Sequence, residues 1–284
     1  MEDNYFIKQI DINEPVETVF GWHEKPGAFE RLTPPWMKLK NIQKTGNGIE
    51  TGAKINMDIC FSGIPVPIKA EHIGYEKNRF FKDRLSGGLF SKWEHTHAFS
   101  SSRYSSGTSD MPFGTSNISS GSNGFSRLED RIDYRLPFHI PEKWHGFIHA
   151  ELYRLFNYRH MVMITDLEHH KNCLKPLTIL ISGASGPVGN ALIPFLTTGG
   201  HRVIKLVRSK PQTDDEIQWN PYTKELDLKQ TDKINVVINL NGYHIGSGRW
   251  TDKRKELIIQ SRNLSTTLLA DRIAALPANL RPEL

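Results

Sequence analysis

Cysteine is scarce in this 284-residue chain, which contains only Cys60 and Cys173. The two lie far apart and lack metal-ligand spacing, which argues against a disulfide scaffold and against a zinc site. Long apolar runs are also missing, and no segment approaches the ~20 residues that a membrane helix needs. The N-terminus lacks the positive-then-apolar order of a secretory signal. These absences predict a cytoplasmic protein without a membrane partner.

A strong charge of one sign is absent as well. The formal net charge is +5, from 36 Lys+Arg against 31 Asp+Glu, and the excess is spread along the chain. Without a basic run or a recognisable nucleic-acid module, we expect no nucleic-acid partner. Hydrophobic residues make up 38% and charged residues 24% of the chain. These proportions suit a globular protein, and the length allows two domains.

Short predicted strands dominate the first part of the chain. Residues 5–12 form the first, and a helix follows with Asn13 as its N-cap and Pro15 at its first position. The remaining strands are predicted at residues 53–61, 68–75, 79–85, 92–99 and 128–136. Such spacing, with turn residues between, indicates a meandering antiparallel sheet. A helical stretch over residues 142–169 follows, so residues 1–170 are predicted to form an α+β domain with the sheet around a long C-terminal helix.

Residues 100–126 interrupt this pattern. Serine and glycine dominate, and the few apolar residues follow no period. We predict a flexible insertion at a hairpin tip, because such a segment cannot bury enough apolar surface to offset its ordering entropy. A binding lid is the alternative.

The order of elements in residues 1–170 resembles the START-like (SRPBCC) helix-grip fold. Glu-Lys-Pro-Gly-Ala-Phe-Glu-Arg-Leu-Thr-Pro-Pro-Trp (24–36) and Leu-Glu-Asp-Arg-Ile-Asp-Tyr (128–134) are similar to phrases of the helix-grip domain found ahead of some bacterial oxidoreductases. The resemblance implies an apolar cavity between sheet and helix, and hence a small apolar ligand. The alternative is that the aromatic side chains fill the core: Phe20, Trp36, Phe61, Trp93 and Phe156.

His95 and His97 alternate along a predicted strand and therefore face the same side. A metal site or an acid–base pair could use this arrangement. A structural role is the more common one for such a pair, and we predict no metal site.

A glycine-rich turn follows the apolar, β-branched run at residues 177–182, which reads as a buried parallel strand. The turn is Gly183-Ala184-Ser185-Gly186-Pro187-Val188-Gly189, and a helix (190–198) and a second strand (203–207) come next. Such a turn lets the backbone approach a pyrophosphate at a helix N-terminus. Gly183 would permit the turn, Gly186 the close approach and Gly189 the helix packing. The order predicts a Rossmann-type dinucleotide-binding domain with a parallel sheet over residues 177–284, after a linker at 171–176.

The Gly-x-x-Gly-x-x-Gly spacing resembles the extended short-chain dehydrogenase/reductase family, and more closely its epimerase-like branch. Val-Val-Ile-Asn-Leu-Asn-Gly (236–242) is similar to the family's fourth strand and the segment beside its cofactor, and residues 245–262 resemble a signature of the same branch. The resemblance implies an NAD(P)-dependent oxidoreductase or epimerase. It places four residues at the flank of the cofactor: Asn239, Leu240, Asn241 and Gly242.

The end of the second strand bears on cofactor choice. NAD-preferring sites usually place an acidic residue there for the ribose hydroxyls, whereas this chain has Arg208-Ser209-Lys210. Arg208, with Ser209 or Lys210, could pair with a 2′-phosphate through charge-assisted hydrogen bonds, which favours NADP over NAD. The alternative is that Arg208 and Lys210 are ordinary solvated charges.

The catalytic Tyr-x-x-x-Lys pair of that family, in which lysine lowers the tyrosine pKa, is missing. None of the eight tyrosines has a lysine four residues later. In the family this pair lies beyond a fifth strand, and the chain ends about where that strand would begin. We therefore expect an incomplete, truncated Rossmann domain without assignable catalytic residues. Its fourth strand, 236–240, would be an exposed apolar edge open to self-association.

Two rival hypotheses remain at this stage. One is a noncatalytic protein that binds a small apolar ligand through its helix-grip domain. The other is a degenerate gene product with no stable second domain.

Overall fold

The computed structural model describes residues 4–61, 64–88, 90–102, 124–136, 142–173, 175–228, 233–246 and 248–282. The chain splits into two compact units, Met1–Glu168 and His169–Leu284. Most of the predicted Ser-rich insertion lies outside the described residues.

The first unit has seven strands in the part of the chain that the structure describes: β1 (Asn4–Ile12), β2 (Leu39–Thr45), β3 (Lys54–Phe61), β4 (Ile64–Glu76), β5 (Phe80–Gly87), β6 (Lys92–Ser101) and β7 (Ser126–Arg135). They form one sheet in the order β1-β7-β6-β5-β4-β3-β2, and every neighbouring pair is antiparallel. Strands β2 to β7 thus meander, and β1 is added beside β7. The predicted antiparallel sheet is confirmed.

Three helices accompany this sheet: α1 (Val16–Glu24), α2 (Ala28–Arg31) and α3 (Glu142–His170). Alternate residues of β7 are buried, as expected where one face of a sheet is covered. Helix α3 packs against this face through four buried side chains at helical spacing, Leu152, Phe156, Met163 and Leu167. The predicted α+β arrangement, with a sheet against a long final helix, is confirmed.

An ion pair joins α2 to α3. Arg31 donates from Nε and Nη2 to the two carboxylate oxygens of Asp166, at 2.7 and 2.6 Å. The Asp166 side chain is buried, and such two-pronged pairing fixes direction as well as distance. The contact therefore orients the C-terminal half of α3.

The start of α1 differs from the prediction. Pro15 is the N-cap, with φ −58° and ψ 151°, and no side chain caps the helix. Its carbonyl accepts from the backbone N–H groups of Thr18 and Val19, so Asn13 is not the cap and Pro15 is not the first helical residue. Proline suits this position because its ring fixes φ near the observed value and the N-cap contributes its carbonyl group, not an N–H, to the helix.

Strand β2 and the exposure of Trp36 were also missed. Six of the seven β2 residues are exposed, so no apolar alternation marks the strand. Trp36 is 41% exposed and is not a core residue, whereas Phe20 and Phe156 are buried, as the core-filling alternative predicts. Trp93 is half-buried against Tyr134, and the side chain of Phe61 lies outside the described residues.

The described residues of the second unit form five strands: β8 (Thr178–Ser182), β9 (Arg202–Val207), β10 (Glu216–Asn220), β11 (Glu225–Leu226) and β12 (Val236–Asn239). Their order is β11-β10-β9-β8-β12. Strands β10, β9, β8 and β12 pair in parallel in that order, and the short β11 is antiparallel to β10. Strands β10 and β11 were not predicted.

Two helices cover the two faces of this sheet, α4 (Pro187–Thr198) and α5 (Asp252–Ala274), and a 3-10 turn follows at Ala278–Leu280. Ile179 and Ile181 pack in the cluster that includes α4 side chains. Leu180, between them, packs in the cluster that includes Leu268 and Leu269 of α5. Strand β8 is buried on both sides for this reason, as its unbroken apolar run predicts.

Within the described residues, β12 pairs with β8 alone and forms the end of the sheet. Its self-association with another chain stays a prediction. None of the described helices combines the length and apolar character needed to cross a bilayer.

Replacement of Phe20 by alanine tests the core of the first unit. Phe20 is fully buried, so Phe20→Ala should lower the free energy of unfolding of this unit by about 3–5 kcal/mol. Ile64→Ala, at a side chain that is 68% exposed, is the control and should change it by less than about 0.5 kcal/mol. Hydrogen exchange of the β6 and β7 amides, followed as a function of urea concentration, measures the free energy of unfolding of both variants. An equal effect of the two variants would contradict this core assignment.

Candidate functional site

Parallel pairing brings the sequence-predicted residues to one edge of the second sheet. Ser182 at the end of β8 is in register with Leu206 of β9 and with Asn239 of β12. The residues that follow these three strands therefore emerge side by side at the carboxyl edge, where open parallel sheets bind ligands. Gly183, Arg208 and Leu240 are all at this edge.

Gly183 closes the first turn against the segment after β12. Its φ is +71°, a conformation that L side chains rarely adopt. A Cβ here would lie 2.7 Å from the carbonyl carbon and oxygen of Leu240 and 3.0 Å from the nitrogen of Asn241. Both the backbone conformation and the space exclude a larger residue.

Gly189 and Gly186 differ in what requires them. A Cβ at Gly189 would lie 2.6 Å from the carbonyl oxygen of Gly183 and 2.7 Å from that of Ala184. The first turn of α4 can therefore pack on the preceding loop only without a side chain. At Gly186 the nearest atom, the carbonyl oxygen of Gly183, would be 3.3 Å away, and φ is −76°. The φ at Gly186 does not require glycine, and a Cβ would need a shift of only a few tenths of an ångström. Glycine here therefore mainly keeps the surface open.

The N-terminus of α4 faces this open surface. Gly186 is its N-cap, Pro187 begins it, no side chain caps it, and its first turn carries no acidic residue. The first N–H groups of a helix have no partners within the helix, and the helix dipole makes this end positive. Ser185, Pro187 and Val188 are exposed. The arrangement is suited to an anion.

Asn239 holds the segment after β12 in place. Its Oδ1 accepts from the Ser182 hydroxyl at 2.5 Å and from the backbone N–H of Asn241 at 3.2 Å. Its Nδ2 lies 3.3 Å from Ser265 Oγ and 3.0 Å from Thr266 Oγ1 on α5. The amide is thus engaged internally, and the flank of the site is formed by the residues it positions. Sequence reasoning missed Ser182, Ser265 and Thr266, since small polar residues resemble ordinary solvent-facing ones.

Helix α5 fixes the rest of the segment. The Tyr243 N–H donates to Ser261 Oγ at 2.8 Å, and Asn241 Nδ2 donates to the Ser261 carbonyl at 3.4 Å. A Cβ at Gly242 would lie 3.0 Å from the guanidinium carbon of Arg262. Residues 241–243 therefore run along α5 beside the glycine turn.

Arg208 stands just beyond β9 at the same edge. Arg208, Ser209 and Lys210 are all exposed, and Arg208 forms no ion pair with any of the described residues. The end of β9 is thus basic and accessible.

In the first unit, His95 and His97 lie on the same face of β6, as predicted. Both are buried, while their strand neighbours Glu94 and Thr96 are half-buried. The carboxylates of Asp83 on β5 and Asp130 on β7 lie beside them.

No protein-family model matches the chain. An epimerase family protein of Mycobacterium leprae is 33% identical over 96 residues, which are 34% of this chain and 31% of that protein. An epimerase family protein of Staphylococcus haemolyticus is 38% identical over 93 residues, which are 32% of this chain and 31% of that protein. The matches span about a third of the length of these curated relatives.

The nucleoside-diphosphate sugar epimerase from Corynebacterium glutamicum has a similar structure. The two chains are 26% identical with a TM-score of 0.69, over 95% of this chain and 52% of that one. This chain therefore spans about half of the solved structure. These similarities confirm the predicted resemblance to epimerase-like proteins.

Alanine at Gly183 should destabilise the second unit. The left-handed conformation costs a non-glycine residue about 1–2 kcal/mol, and the new Cβ would press on the Leu240 backbone. We expect Gly183→Ala to lower the free energy of unfolding by about 2 kcal/mol or more. Hydrogen exchange of the β8 amides reports this quantity.

Gly186→Ala is the matched control, because φ there is negative and the nearest atom is 3.3 Å away. It should cost less than about 1 kcal/mol. If both variants unfold at the same denaturant concentration, the steric account of Gly183 is wrong.

Proposed function

We propose that residues 177–284 form the N-terminal part of a Rossmann-type NAD(P)-binding domain of the short-chain dehydrogenase/reductase family, in its epimerase-like branch. The observation that carries this proposal is the glycine turn at 183–189, which leaves the uncapped N-terminus of α4 open at the carboxyl edge of a parallel sheet. The similarity to epimerase family proteins supports the same reading.

The dinucleotide would be held mainly by backbone. Its pyrophosphate fits the N-terminus of α4, bounded by Gly183, Ser185, Gly186, Pro187, Val188 and Gly189. The exposed positions there carry no acidic side chain, so a dianion meets N–H groups and a positive dipole without repulsion. Leu240, Asn241 and Gly242 would border the cofactor, positioned by Asn239 and by α5.

NADP is the preferred cofactor in this proposal. Arg208 is exposed at the end of β9, and a guanidinium can pair with a 2′-phosphate through two parallel hydrogen bonds. Ser209 and Lys210, also exposed, add a hydroxyl and a second positive charge. With no carboxylate at this strand end, the ribose hydroxyls of NAD lack their usual acceptor.

A bound nicotinamide cofactor supplies hydride transfer, and the described residues bind and orient it. No tyrosine in this chain precedes a lysine by four positions, so the acid–base pair of the family has no counterpart here. We propose that this chain binds the cofactor and is catalytically incomplete by itself.

Residues 1–170 are, in the same proposal, a START-like helix-grip domain fused ahead of the nucleotide-binding part. The antiparallel sheet packed on α3 supports it. A small apolar ligand in this domain has no specific observation in its favour. Phe20 and Phe156, which could have lined a cavity, are fully packed core residues.

Titration of the purified chain with NADPH and NADH, followed by nicotinamide fluorescence, tests the proposal. Gly186→Asp places a carboxylate at the N-cap, where it stabilises the helix and repels the pyrophosphate. We expect saturable NADPH binding by the wild type and a loss of at least tenfold in affinity in Gly186→Asp relative to Gly186→Asn. A wild-type chain that is folded and binds neither dinucleotide would refute the proposal.

Arg208→Ala tests cofactor choice in the same assay. Loss of a charge-assisted contact of about 1.4 kcal/mol or more should weaken NADPH about tenfold and leave NADH unchanged. Arg202→Ala is the matched control, since Arg202 lies at the opposite end of β9 and pairs with Asp215. Equal losses for NADPH and NADH in Arg208→Ala would contradict recognition of the 2′-phosphate.

A further inference from the structure

Four strands of the first unit bring titratable side chains together on one face. His72 of β4, Asp83 of β5 and His95 of β6 are direct cross-strand partners. His97 of β6 is the partner of Asp130 of β7. Side chains of directly opposed residues share a face and touch, so this register alone assembles the group.

Three of these side chains converge on a common point. Asp83 Oδ2 lies 3.5 Å from His95 Nδ1 and 3.9 Å from His97 Nε2. One ligand atom from each of the three residues lies within 4.8 Å of the other two. Metal–ligand bonds of about 2.0–2.2 Å place ligand atoms roughly 3–3.5 Å apart. The Asp83–His95 and Asp83–His97 distances are within half an ångström of this range, and a rearrangement of about 1 Å would bring all three ligand atoms into coordination distance.

Asp130 lies behind both histidines. His95 Nε2 is 3.0 Å from Asp130 Oδ1, and His160 Nε2 of α3 is 2.6 Å from Asp130 Oδ2. His97 Nδ1 is also close to Oδ1, at 2.7 Å. Metal-bound histidines commonly direct their second nitrogen at a carboxylate, which fixes the ring and the tautomer. The other nitrogen of His95, Nδ1, lies toward Asp83.

Packing and Asp130 orient the ring of His97. The ring is buried and stacks on Phe81 at 4.1 Å between ring centroids. Its Nδ1 lies 2.7 Å from the Asp130 carboxylate, and its Nε2 is the nitrogen that lies toward Asp83. The second nitrogen of this histidine therefore also has a carboxylate beside it, as in many metal sites.

We propose that Asp83, His95 and His97 form a three-ligand site for a divalent first-row transition metal, with Asp130 as the supporting carboxylate. Two imidazoles and one carboxylate favour ions such as Zn²⁺, Co²⁺ and Fe²⁺ over Ca²⁺ and Mg²⁺. Three protein ligands leave a coordination position for water or a small ligand. The site lies wholly within the first unit and does not depend on the proposed nucleotide binding. It revises the prediction of no metal, which rested on the histidine pair alone.

Metal titration of the untagged full chain, stripped with a chelator, tests this site. We expect one Zn²⁺ per chain by calorimetry and visible Co²⁺ absorption bands of a low-symmetry site. Asp83→Asn should weaken Zn²⁺ binding at least tenfold, and Asp130→Asn about 10–100-fold. Asp58→Asn is the control, because Asp58 of β3 accepts an exposed hydrogen bond from Asn41 of the edge strand β2. The Zn²⁺ affinity of this variant should match that of the wild type.

His97→Gln is a second variant that removes a ligand and retains a polar side chain, with His145→Gln on α3 as its control. Circular dichroism confirms folding of each variant before titration. Loss of the single Zn²⁺ equivalent in folded His97→Gln, and not in His145→Gln, would support the site. A folded wild-type chain that takes up no stoichiometric Zn²⁺ or Co²⁺ would overturn it. Wild-type affinity in folded Asp83→Asn or His97→Gln would do the same.

Discussion

Backbone packed directly on backbone sets the geometry of the second unit. Gly183 turns with φ +71° and lies against Leu240, where a Cβ would be 2.7 Å from the carbonyl group. Gly189 lets α4 approach the same turn. These contacts require that side chains be absent. Parallel pairing brings the strand ends to one edge, and the glycine contacts let the N-terminus of α4 and the segment after β12 approach each other there.

Hydrogen bonds then hold the closely packed segments in place. The Asn239 amide joins β8 to α5 through Ser182, Ser265 and Thr266. An amide whose oxygen and nitrogen are both engaged fixes one arrangement of the loop and disfavours others. The surface offered to a ligand is therefore preorganised, which reduces the ordering cost of binding.

Local patterns in the sequence predicted those features that depend on near neighbours along the chain. The apolar run of β8, the glycine turn and the helical spacing of Phe156 and Met163 in α3 are of this kind. Strand β2 escaped because its residues are mostly exposed. The partners of His95 escaped for a different reason. Asp130 is 35 residues away along the chain and meets it only through strand pairing, which no sequence window shows.

The contacts of the Asn239 side chain could not be predicted from the sequence for the same reason. Its position at the end of β12 predicted a place beside a cofactor, and the segment that follows does border the glycine turn. The side chain, however, is directed at Ser265 and Thr266 of α5. Which of two neighbouring polar groups faces a ligand depends on packing between elements far apart in sequence.

Hydrogen exchange with and without saturating NADPH tests the central claim most directly, because it locates binding. If the second unit holds a dinucleotide on its glycine turn, the amides of residues 183–189, 208–210 and 240–243 should exchange more slowly with NADPH, and those of β1 to β7 should be unchanged. Slowed exchange confined to the first unit, or no change anywhere at saturation, would contradict the account.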